Sequence, residues 1–431
     1  MNEIGIFICN YNKAEMVVKC IRAIMDQSIQ CFDIFVVDNA STDGSVDLIN
    51  DTYGDSVTIL QNADNLGGSG GFGRGIRTAL EKGYEYFMLV DNDAFLDADA
   101  VSHLYSYIKD HKDVGICGAE TLYLQDPKKI QDLGGKLDYV NYRWGGVIGG
   151  MVEIAGSTVL ECDYVASCCV IARSSAVREF GGFPEDNFIY WDDIEWCTKC
   201  RRAGYKVIVN GNAKVLHDMS GASKQNMFLR YYSNRNRLKY FTKYLPEDRL
   251  EDFYQKFTEQ FFLESYGAMH KGMYGSVMTY WNAIDDFFHG VAGRAIEGRQ
   301  VPYVAPSKRL EDIAERSNRL LIYMPTHNQK DYDNLNSILR KMMAANPGLT
   351  VKVQFSSEED EEYDLVLQLC DHATQIKENI LPRVYVDRLG NLVETEKDYQ
   401  YFSRYQEALD GFRRMYRPLF DERVRMLRNE A

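Results

Sequence analysis

The chain has 431 residues, of which 45% are hydrophobic and 26% are charged, a composition typical of folded globular domains. At roughly 100–200 residues per domain, this length predicts two or three domains. The net charge of −14 argues against a nucleic-acid binder, which needs surface cations to neutralise phosphates.

The amino terminus and the cysteines indicate a cytoplasmic protein. No run approaches the roughly 20 apolar residues of a membrane span, and Met1–Gly5 lacks the basic and apolar regions of a secretory signal. Ten cysteines, several in apolar runs, are therefore expected to be reduced core residues. Cys197 and Cys200 form a lone CxxC, for which helix packing is favoured over a zinc or redox site.

The first 120 residues alternate between strand and helix patterns. Short apolar runs at 4–9, 32–37, 57–60 and 87–90 predict strands, and helix-length segments separate them. This alternation predicts a parallel sheet with crossover helices. Ligands bind beyond the carboxyl ends of the strands in such sheets, so the residues that follow each strand are the most informative.

The pattern changes beyond residue 118. A glycine-rich stretch at 118–160 predicts either a mobile substrate loop or a surface excursion, and a strand is expected at 163–173. A helix at 192–203 and strands at 205–209 and 214–217 follow. The predicted division is a catalytic α/β domain at 1–225, a helical and aromatic segment at 226–304, and a smaller α/β domain at 305–431 that ends in a helix over 399–427.

A glycine string follows the third predicted strand. Residues 68–73 satisfy G-x-G-x-x-G and precede a helix, which on pattern alone suggests a dinucleotide site. Residues 62–66 separate the string from its strand, however, whereas the dinucleotide fingerprint turns sharply out of the strand. The string also lies in the third unit of the sheet rather than the first. A weaker expectation remains, that these glycines let the backbone approach a phosphorylated ligand.

Two groups of carboxylates stand at informative positions. Asp91 and Asp93 directly follow a buried strand, where they can share Mg²⁺ or Mn²⁺ or, alternatively, cap the next helix. Asp192 and Asp193 open a helix after an aromatic segment, where desolvation could raise carboxylate basicity, although acidic residues are common in a helix's first turn. His217 ends a strand, a position that is more often structural.

Six short motifs follow one another along the first half of the chain: Asn10–Lys13, Val37–Gly44, Asp91–Asp93, Gly181–Phe183, Trp191–Asp193 and His217. In this order they resemble a family 2 glycosyltransferase with the GT-A fold, a Rossmann-like and mostly parallel sheet. The likeness covers roughly residues 1–240. Residues 65–72, and Trp191–Asp193 with His217, are most similar to the galactofuranosyltransferases and rhamnosyltransferases that build bacterial cell-surface polysaccharides.

The resemblance implies a role for each motif residue. Asp91 and Asp93 match the family's DxD carboxylates and His217 matches a third metal ligand, which implies bound Mn²⁺ or Mg²⁺. Asp193 matches the catalytic base that deprotonates the acceptor hydroxyl, and Asp192 would orient that acceptor. The remaining residues implied in donor binding are Asn10, Asn12, Lys13, Asp38, Asn39, Asn65, Gly68 and Trp191.

The implied function is transfer of a sugar, galactofuranose or rhamnose, from a UDP- or dTDP-linked donor to a glycan or lipid-linked acceptor. One positioned base and a metal-held diphosphate suffice for a displacement that inverts the anomeric carbon. The alternatives are a nicotinamide-dependent oxidoreductase, which rests on the glycine string, and a non-catalytic assembly subunit. Against the latter stands the presence of the full set Asp38, Asp91, Asp93, Asp193 and His217. Oligomerisation is left open.

The segment 227–244 interleaves five cations with aromatic and aliphatic residues. One interpretation is a helix packed on the catalytic domain with a solvated basic edge. The other is a docking face for an anionic membrane, which would make the protein peripheral at the inner face of the membrane.

Overall fold

A computed structural model describes residues 2–146, 158–218, 225–325, 329–355, 362–376 and 383–429. Residues 147–157 of the predicted glycine-rich loop therefore lie outside the described residues. The chain forms two compact units, one of residues 1–245 with 282–300 and one of residues 246–281 with 301–430. The three-part division expected from the sequence stays a prediction.

The first unit combines one large sheet with flanking helices. Its strands are β1 (Ile4–Asn10), β2 (Phe32–Asp38), β3 (Thr58–Gln61), β4 (Tyr86–Asp91), β5 (Ala94–Leu96), β6 (Val114–Tyr123), β7 (Asp126–Asp132), β8 (Gly135–Asp138), β9 (Arg143–Gly146), β10 (Val159–Glu161), β11 (Cys169–Arg173) and β12 (Lys206–His217). Its helices are α1 (Ala14–Met25), α2 (Ser45–Tyr53), α3 (Gly67–Lys82), α4 (Ala100–Asp110), α5 (Ser174–Phe180), α6 (Asp192–Arg202) and α7 (Met227–Tyr244).

The strand order in the large sheet is β10-β12-β6-β11-β4-β1-β2-β3, with β5 on β12 and β7 on β6. The β4-β1-β2-β3 half is parallel, as predicted, and the antiparallel strand β11 makes the other half mixed. In the parallel half, Asn10 pairs with Asp38 and Cys9 with Asp91. The polar residues that end these strands therefore share one edge of the sheet.

Burial explains the predicted elements of the parallel half. In β1, Ile4, Ile6 and Ile8 are fully buried, and α1 covers this face with residues spaced three or four apart. On the other face α3 approaches β1 closely, because a Cβ at Gly71 would lie 2.3 Å from Cys9 Sγ and one at Gly75 would lie 3.0 Å from Phe7 Cβ. The glycine string thus lies inside a helix and serves helix–sheet packing.

Two predicted strands of the first unit differ in extent. The strands expected at 205–209 and 214–217 are the single strand β12, whose register against β6 shifts between Asn210 and Lys214. A bulge thus absorbs the residues expected to be a loop. The strand expected at 163–173 is shortened to β11, because the backbone of Asp163 and Tyr164 hydrogen-bonds that of Gly135 instead.

The chain beyond residue 246 forms further helices and a second sheet. The helices are α8 (Leu250–His270), α9 (Tyr274–Phe288), α10 (Arg309–Glu315), α11 (Gln329–Ala345), α12 (Glu396–Ser403) and α13 (Tyr405–Asn429). The strands are β13 (Arg319–Tyr323), β14 (Thr350–Gln354), β15 (Leu365–Cys370), β16 (Val384–Asp387) and β17 (Leu392–Val393), in the order β14-β13-β15-β16-β17.

The second sheet is parallel except for the β16–β17 hairpin. The single helix expected at 399–427 is two helices, and the first begins at Glu396 because Thr395 and Asp398 form a capping box. The predicted α/β fold class, with a Rossmann-like first sheet, a helical segment and a smaller C-terminal sheet, is confirmed. No helix in the described ranges combines the length and apolar character that crossing a membrane requires.

Candidate active site

Three predicted metal ligands come together at one edge of the first sheet. Asp91 ends β4, Asp93 lies in the turn to β5, and pairing of β5 with β12 places His217 opposite Ala94. His217 Nε2 lies 3.4 Å from an Asp93 oxygen and 3.7 Å from an Asp91 oxygen. Among the described residues, this is the only group of three His, Cys, Asp or Glu side chains close enough to share one ion.

The chemistry of this cluster fits a hard divalent cation. Two carboxylates and one imidazole offer ligand atoms that all lie within 4.8 Å of one another, a set that suits Mn²⁺ or Mg²⁺. Asp91 keeps 36% of its side chain exposed, so a metal-bound diphosphate could reach it. Lys13 Nζ contacts Asp93, and its ammonium supplies a positive charge beside the same carboxylates.

The electrostatics of the cluster agree with a cation site. Desolvation and the charge of Asp93 raise the pKa of Asp91 to about 6. Desolvation would also raise the pKa of Asp93, but hydrogen bonding and charge from His217 and Lys13 lower it. Desolvation would lower the pKa of His217, but the two carboxylates outweigh it and raise that pKa. The carboxylates thus concentrate negative charge at one point, which a divalent cation would neutralise.

Gln131, on β7, contacts the far side of the His217 ring. Its amide nitrogen lies 3.0 Å from His217 Nδ1, while its amide oxygen is buried without a hydrogen-bond partner. The oxygen and nitrogen of an amide are assigned from their surroundings, so the flipped amide is an equal alternative. In that arrangement Gln131 Oε1 accepts from His217 Nδ1–H, and the lone pair of His217 Nε2 is available to a cation shared with the two carboxylates, as metal-binding histidines require.

The predicted base and its neighbour open helix α6. Asp192 is buried and accepts from the Ser69 hydroxyl at 2.6 Å, whereas Asp193 is half-buried and therefore accessible to an acceptor. Burial, then the charge of Asp192, and further the charges of Asp132 and Asp91 raise the pKa of Asp193 well above its usual range. A carboxylate in this environment binds a proton more strongly than one in water, as a general base should.

The loop before α6 is strained. Phe188, Tyr190 and Trp191 have φ angles of 68°, 65° and 66°, a region that non-glycine residues rarely occupy. Such strain persists only where the surroundings over-determine it, and it clusters at functional sites. Asn236 of α7 supplies the restraint here, because its amide nitrogen donates to three loop carbonyls at 2.8–3.0 Å.

The predicted donor-binding residues at the ends of β1 and β2 form one hydrogen-bond network. Asp38 accepts from the Asn10 amide at 3.0 Å and from the Ser41 N–H at 3.0 Å, so both its oxygens have protein partners. Asn12 has a φ of 50° and accepts from the Thr42 N–H at 2.7 Å, tying the two strand-end loops together. Lys13, which follows this network along the chain, contacts Asp93 of the metal-ligand cluster.

The remaining donor-binding candidates lie around the start of α3 and α6. Asn39 is buried and donates to the Gly67 carbonyl at 2.9 Å, and Asn65 accepts from the Gly67 N–H at 2.8 Å. A Cβ at Gly68 would meet open space, so the backbone there is open to a ligand. Trp191 is 3% exposed and packs on Tyr240 and Phe241 of α7, so its ring contributes to the core.

Most cations of segment 227–244 are engaged within the first unit. Arg235 donates to the carbonyls of Asn187 and Gly293, and Arg237 to those of Asn141 and Tyr142. Lys239 contacts Asp186, and Lys243 lies 3.1 Å from Glu195. Of the two interpretations that the sequence left open, these contacts favour packing.

Sequence reasoning assigned no role to three residues that shape the site: Gln131 and Asn236 lie outside the motifs, and Ser69 lies within the glycine string. Gln131 contacts His217, Asn236 holds the strained loop, and Ser69 donates to Asp192. In each pair the two residues are between 46 and 123 positions apart in the sequence. Only the unusual placement of an asparagine and an arginine side by side in a buried helix (Arg235, Asn236) hints at a role. Cys197 and Cys200 are buried on α6 with free thiols, as expected from packing.

Comparison with known proteins finds similarity to glycosyltransferases in the amino-terminal half of the chain. Residues 5–146 match the family described as Glycosyl transferase family 2. The O-antigen chain rhamnosyltransferase RfbN of Salmonella typhimurium is 25% identical over 232 residues, 53% of this chain and 70% of that protein. The galactofuranosyltransferase GlfT2 of Mycolicibacterium smegmatis is 26% identical over 205 residues, 43% of this chain and 31% of that protein.

Solved structures are more distant. GalNAc-T7 with UDP, GalNAc and Mn²⁺ has a TM-score of 0.46 at 12% identity, covering 57% of this chain and 49% of that one. The mannosyltransferase PcManGT of Pyrobaculum calidifontis with GDP-Man and Mn²⁺ has a TM-score of 0.42 at 17% identity, covering 56% and 64%. The matched region, residues 5–146, is therefore a glycosyl transferase family 2 domain, and the members of this family are inverting glycosyltransferases.

Proposed function

We propose that the first unit transfers a sugar from a nucleotide diphosphate donor to an acceptor hydroxyl, with a divalent cation bound by Asp91, Asp93 and His217. The observation that carries the proposal is that these three ligand groups come together where parallel strands end. The half-buried Asp193 is near enough for the charge of Asp91 to raise its pKa. A divalent cation, when bound, would neutralise the diphosphate and stabilise the charge that develops as it leaves.

The chain's own residues account for the rest of the reaction. The Asp193 carboxylate takes the proton of the acceptor hydroxyl while the acceptor oxygen bonds to the anomeric carbon. The bond from that carbon to the diphosphate oxygen breaks, and its electron pair leaves with the nucleotide diphosphate. Attack opposite the leaving group inverts the configuration. Asp192, held by Ser69, orients the acceptor, and Asn10, Asn12, Lys13, Asp38, Asn39, Asn65, Gly68 and Trp191 form or support the donor side.

The sugar and the acceptor are proposed from the relatives. A rhamnosyltransferase and a galactofuranosyltransferase both match this chain at about a quarter identity, which supports rhamnose or galactofuranose on a dTDP- or UDP-linked donor. The first relative is an O-antigen chain rhamnosyltransferase, which supports a glycan or lipid-linked acceptor in cell-surface polysaccharide synthesis. All ten cysteines are free thiols, which supports the proposed reducing, cytoplasmic location. The proposal also includes peripheral contact of the protein with the inner face of the membrane. Most cations of α7 contact groups of the first unit, so this contact would use other residues.

A donor-hydrolysis panel tests this function. The full chain is incubated with Mn²⁺ and, separately, dTDP-rhamnose, UDP-galactofuranose, UDP-glucose and GDP-mannose, and nucleotide diphosphate release is measured. We expect release from one of the first two donors and its loss in Asp93→Ala. Hydrolysis of UDP-glucose or GDP-mannose alone would overturn the sugar assignment, and release that persists in Asp93→Ala would overturn the assignment of the site.

A further inference from the structure

A cavity of about 340 Å³ lies within the second unit, and all its lining residues belong to that unit. It lies among α10, α11, the end of α8 and the turn between β16 and β17. At ~30 Å³ per water this volume holds about eleven waters, and it falls at the small end of the range of ligand pockets. It is therefore large enough for a small organic molecule.

The lining is strongly cationic on one side and apolar on the other. Lys271, Arg309, Lys341 and Arg388 line it together with one carboxylate, that of Glu311. Neutral hydrogen-bonding groups come from Ser307, Asn334 and Ser337. The apolar wall consists of side chains from α10, α11 and the two hairpin strands, namely Leu310, Ile338, Val386 and Leu392.

The four cations divide into two kinds. Arg309 lies 2.6 Å from Asp398, and Arg388 lies 2.8 Å from Asp331 and 2.7 Å from Asp371, so carboxylates already neutralise both arginines. By contrast, across the described ranges, neither Lys271 nor Lys341 has a carboxylate oxygen within ion-pair distance of its Nζ. The Lys271 ammonium donates only to the Leu389 carbonyl, at 2.5 Å.

The two lysines also act on each other. Burial lowers the pKa of Lys271, and although the charge of Asp387 opposes this, the nearby charge of Lys341 lowers it further. A partly buried ammonium beside a second ammonium raises the free energy of the folded protein. An anion between them would remove this repulsion. His270 also lines the cavity. Its Nε2–H donates to the Asp398 carboxylate at 2.7 Å, and its buried Nδ1 has no hydrogen-bond partner among the described residues.

We propose that this cavity binds a phosphate-bearing small molecule, with the phosphate between Lys271 and Lys341 and the organic portion against the apolar wall. Ammonium groups and serine hydroxyls are the donors that phosphate oxygens take. The site is independent of the sugar-transfer site of the first unit, and it is expected to bind without a divalent cation.

Isothermal titration calorimetry of the full chain in EDTA tests the proposal, with inorganic phosphate and a hexose 1-phosphate as probes. EDTA suppresses metal-dependent binding at the first unit. We expect both probes to bind and the hexose 1-phosphate to bind more tightly, because it alone reaches the apolar wall. No binding heat from either probe would overturn the site, and tighter binding of inorganic phosphate would overturn the placement of an organic portion.

Variants locate the binding. Lys341 is exposed, so Lys341→Gln should leave the thermal midpoint unchanged and weaken binding about tenfold or more, the value of one charge-assisted hydrogen bond. The matched control is Arg340→Gln, which removes an exposed cation from the same helix outside the cavity and should bind as the parent does. Equal weakening in both variants would reduce the effect to net charge and overturn the proposal. Loss of binding in Asp93→Ala would assign the anion to the first unit and would likewise overturn it.

Discussion

Asp91 and Asp387 occupy equivalent positions in the two units, since each ends a parallel strand with a carboxylate at the ligand edge of its sheet. Asp387 is 1% exposed, and its two oxygens accept the N–H groups of Ala373, Leu389 and Asn391 and the Asn391 amide. Asp91 is 36% exposed and faces a second carboxylate and an imidazole.

The difference teaches how a strand-end carboxylate acquires its role. Four N–H donors hydrogen-bond Asp387, so its role is to hold a turn. It is not among the lining residues of the cavity, whose charged groups are mostly cations. Asp91 instead lies near the negative charge of Asp93, and a bound cation would stabilise the two carboxylates. The two carboxylates hold the same position in their sheets. The number of hydrogen-bond donors around each one determines whether it stabilises a turn or is available to bind a cation.

The largest expected effect separates chemistry from binding in the first unit. Asp193→Asn keeps the shape of the base but removes its proton affinity, so turnover should fall roughly 10²–10⁴-fold. Donor affinity should stay nearly intact, measured by donor titration alongside steady-state kinetics. Asp192→Asn is the matched control. If Asp192→Asn abolished turnover while Asp193→Asn retained it, the two roles would have to be exchanged.

A paired substitution tests the comparison itself. Asp387→Asn replaces one acceptor oxygen by a donor that faces the Ala373 N–H, so the free energy of unfolding should fall by about 3 kcal/mol, as for a lost hydrogen bond to a charged group. Asp91→Asn should not lower the free energy of unfolding, and it should lose Mn²⁺ affinity. Denaturant unfolding and metal titration of both variants give the result, and equal destabilisation by the two would remove the distinction drawn here.

Gln131 should tune the metal site without contacting the metal. Gln131→Met keeps the side-chain length but leaves His217 Nδ1 without a partner, so Mn²⁺ affinity should fall about 10–100-fold. Gln131→Glu, which still accepts from Nδ1–H, should restore most of it. The control is Gln125→Met, which lies on the same hairpin and contacts Asp218 instead. Unchanged metal affinity in Gln131→Met would make Gln131 a packing residue.

The smallest effect is a pH dependence of stability in EDTA. The pKa of Asp91 is raised to about 6 in the folded protein, against about 3.9 in an unfolded chain. A raised carboxyl pKa means that the folded state binds the proton more tightly. The contribution of Asp91 to stability is therefore fully present below pH 4 and is lost as the pH rises to 6. The thermal midpoint of the parent chain should fall relative to Asp91→Asn across this interval, and parallel profiles would contradict the shift.

Local pattern was sufficient for much of the first unit. The parallel half of the sheet and the position of Asp91 and Asp93 follow from an apolar run and the residues directly after it, both of which are local. His217 needed the resemblance, because only the pairing of β12 with β5 brings it to Asp93.

The parts that local pattern missed depend on register and packing over long separations. Gln131 reaches His217 because β6 pairs with both β7 and β12, and no sequence period encodes that. The glycine string has the spacing of a phosphate loop, but it lies inside helix α3, where a Cβ at Gly71 would meet Cys9 and Asn39 and only Gly68 faces open space. The basic stretch of α7 similarly matches a membrane helix in composition, while its cations bind carbonyls and carboxylates of its own unit.

Mn²⁺ titration followed by electron paramagnetic resonance tests the central claim most directly. The parent chain with nucleoside diphosphate should remove one equivalent of Mn²⁺ from the free-ion signal, and EDTA should abolish both this binding and sugar transfer. Asp93→Ala should leave the free-ion signal unchanged, while Asp163→Ala, which removes a carboxylate elsewhere in the same unit, should bind as the parent does. Stoichiometric Mn²⁺ binding by Asp93→Ala, or full transfer in EDTA, would contradict the assignment of Asp91, Asp93 and His217 as the metal site.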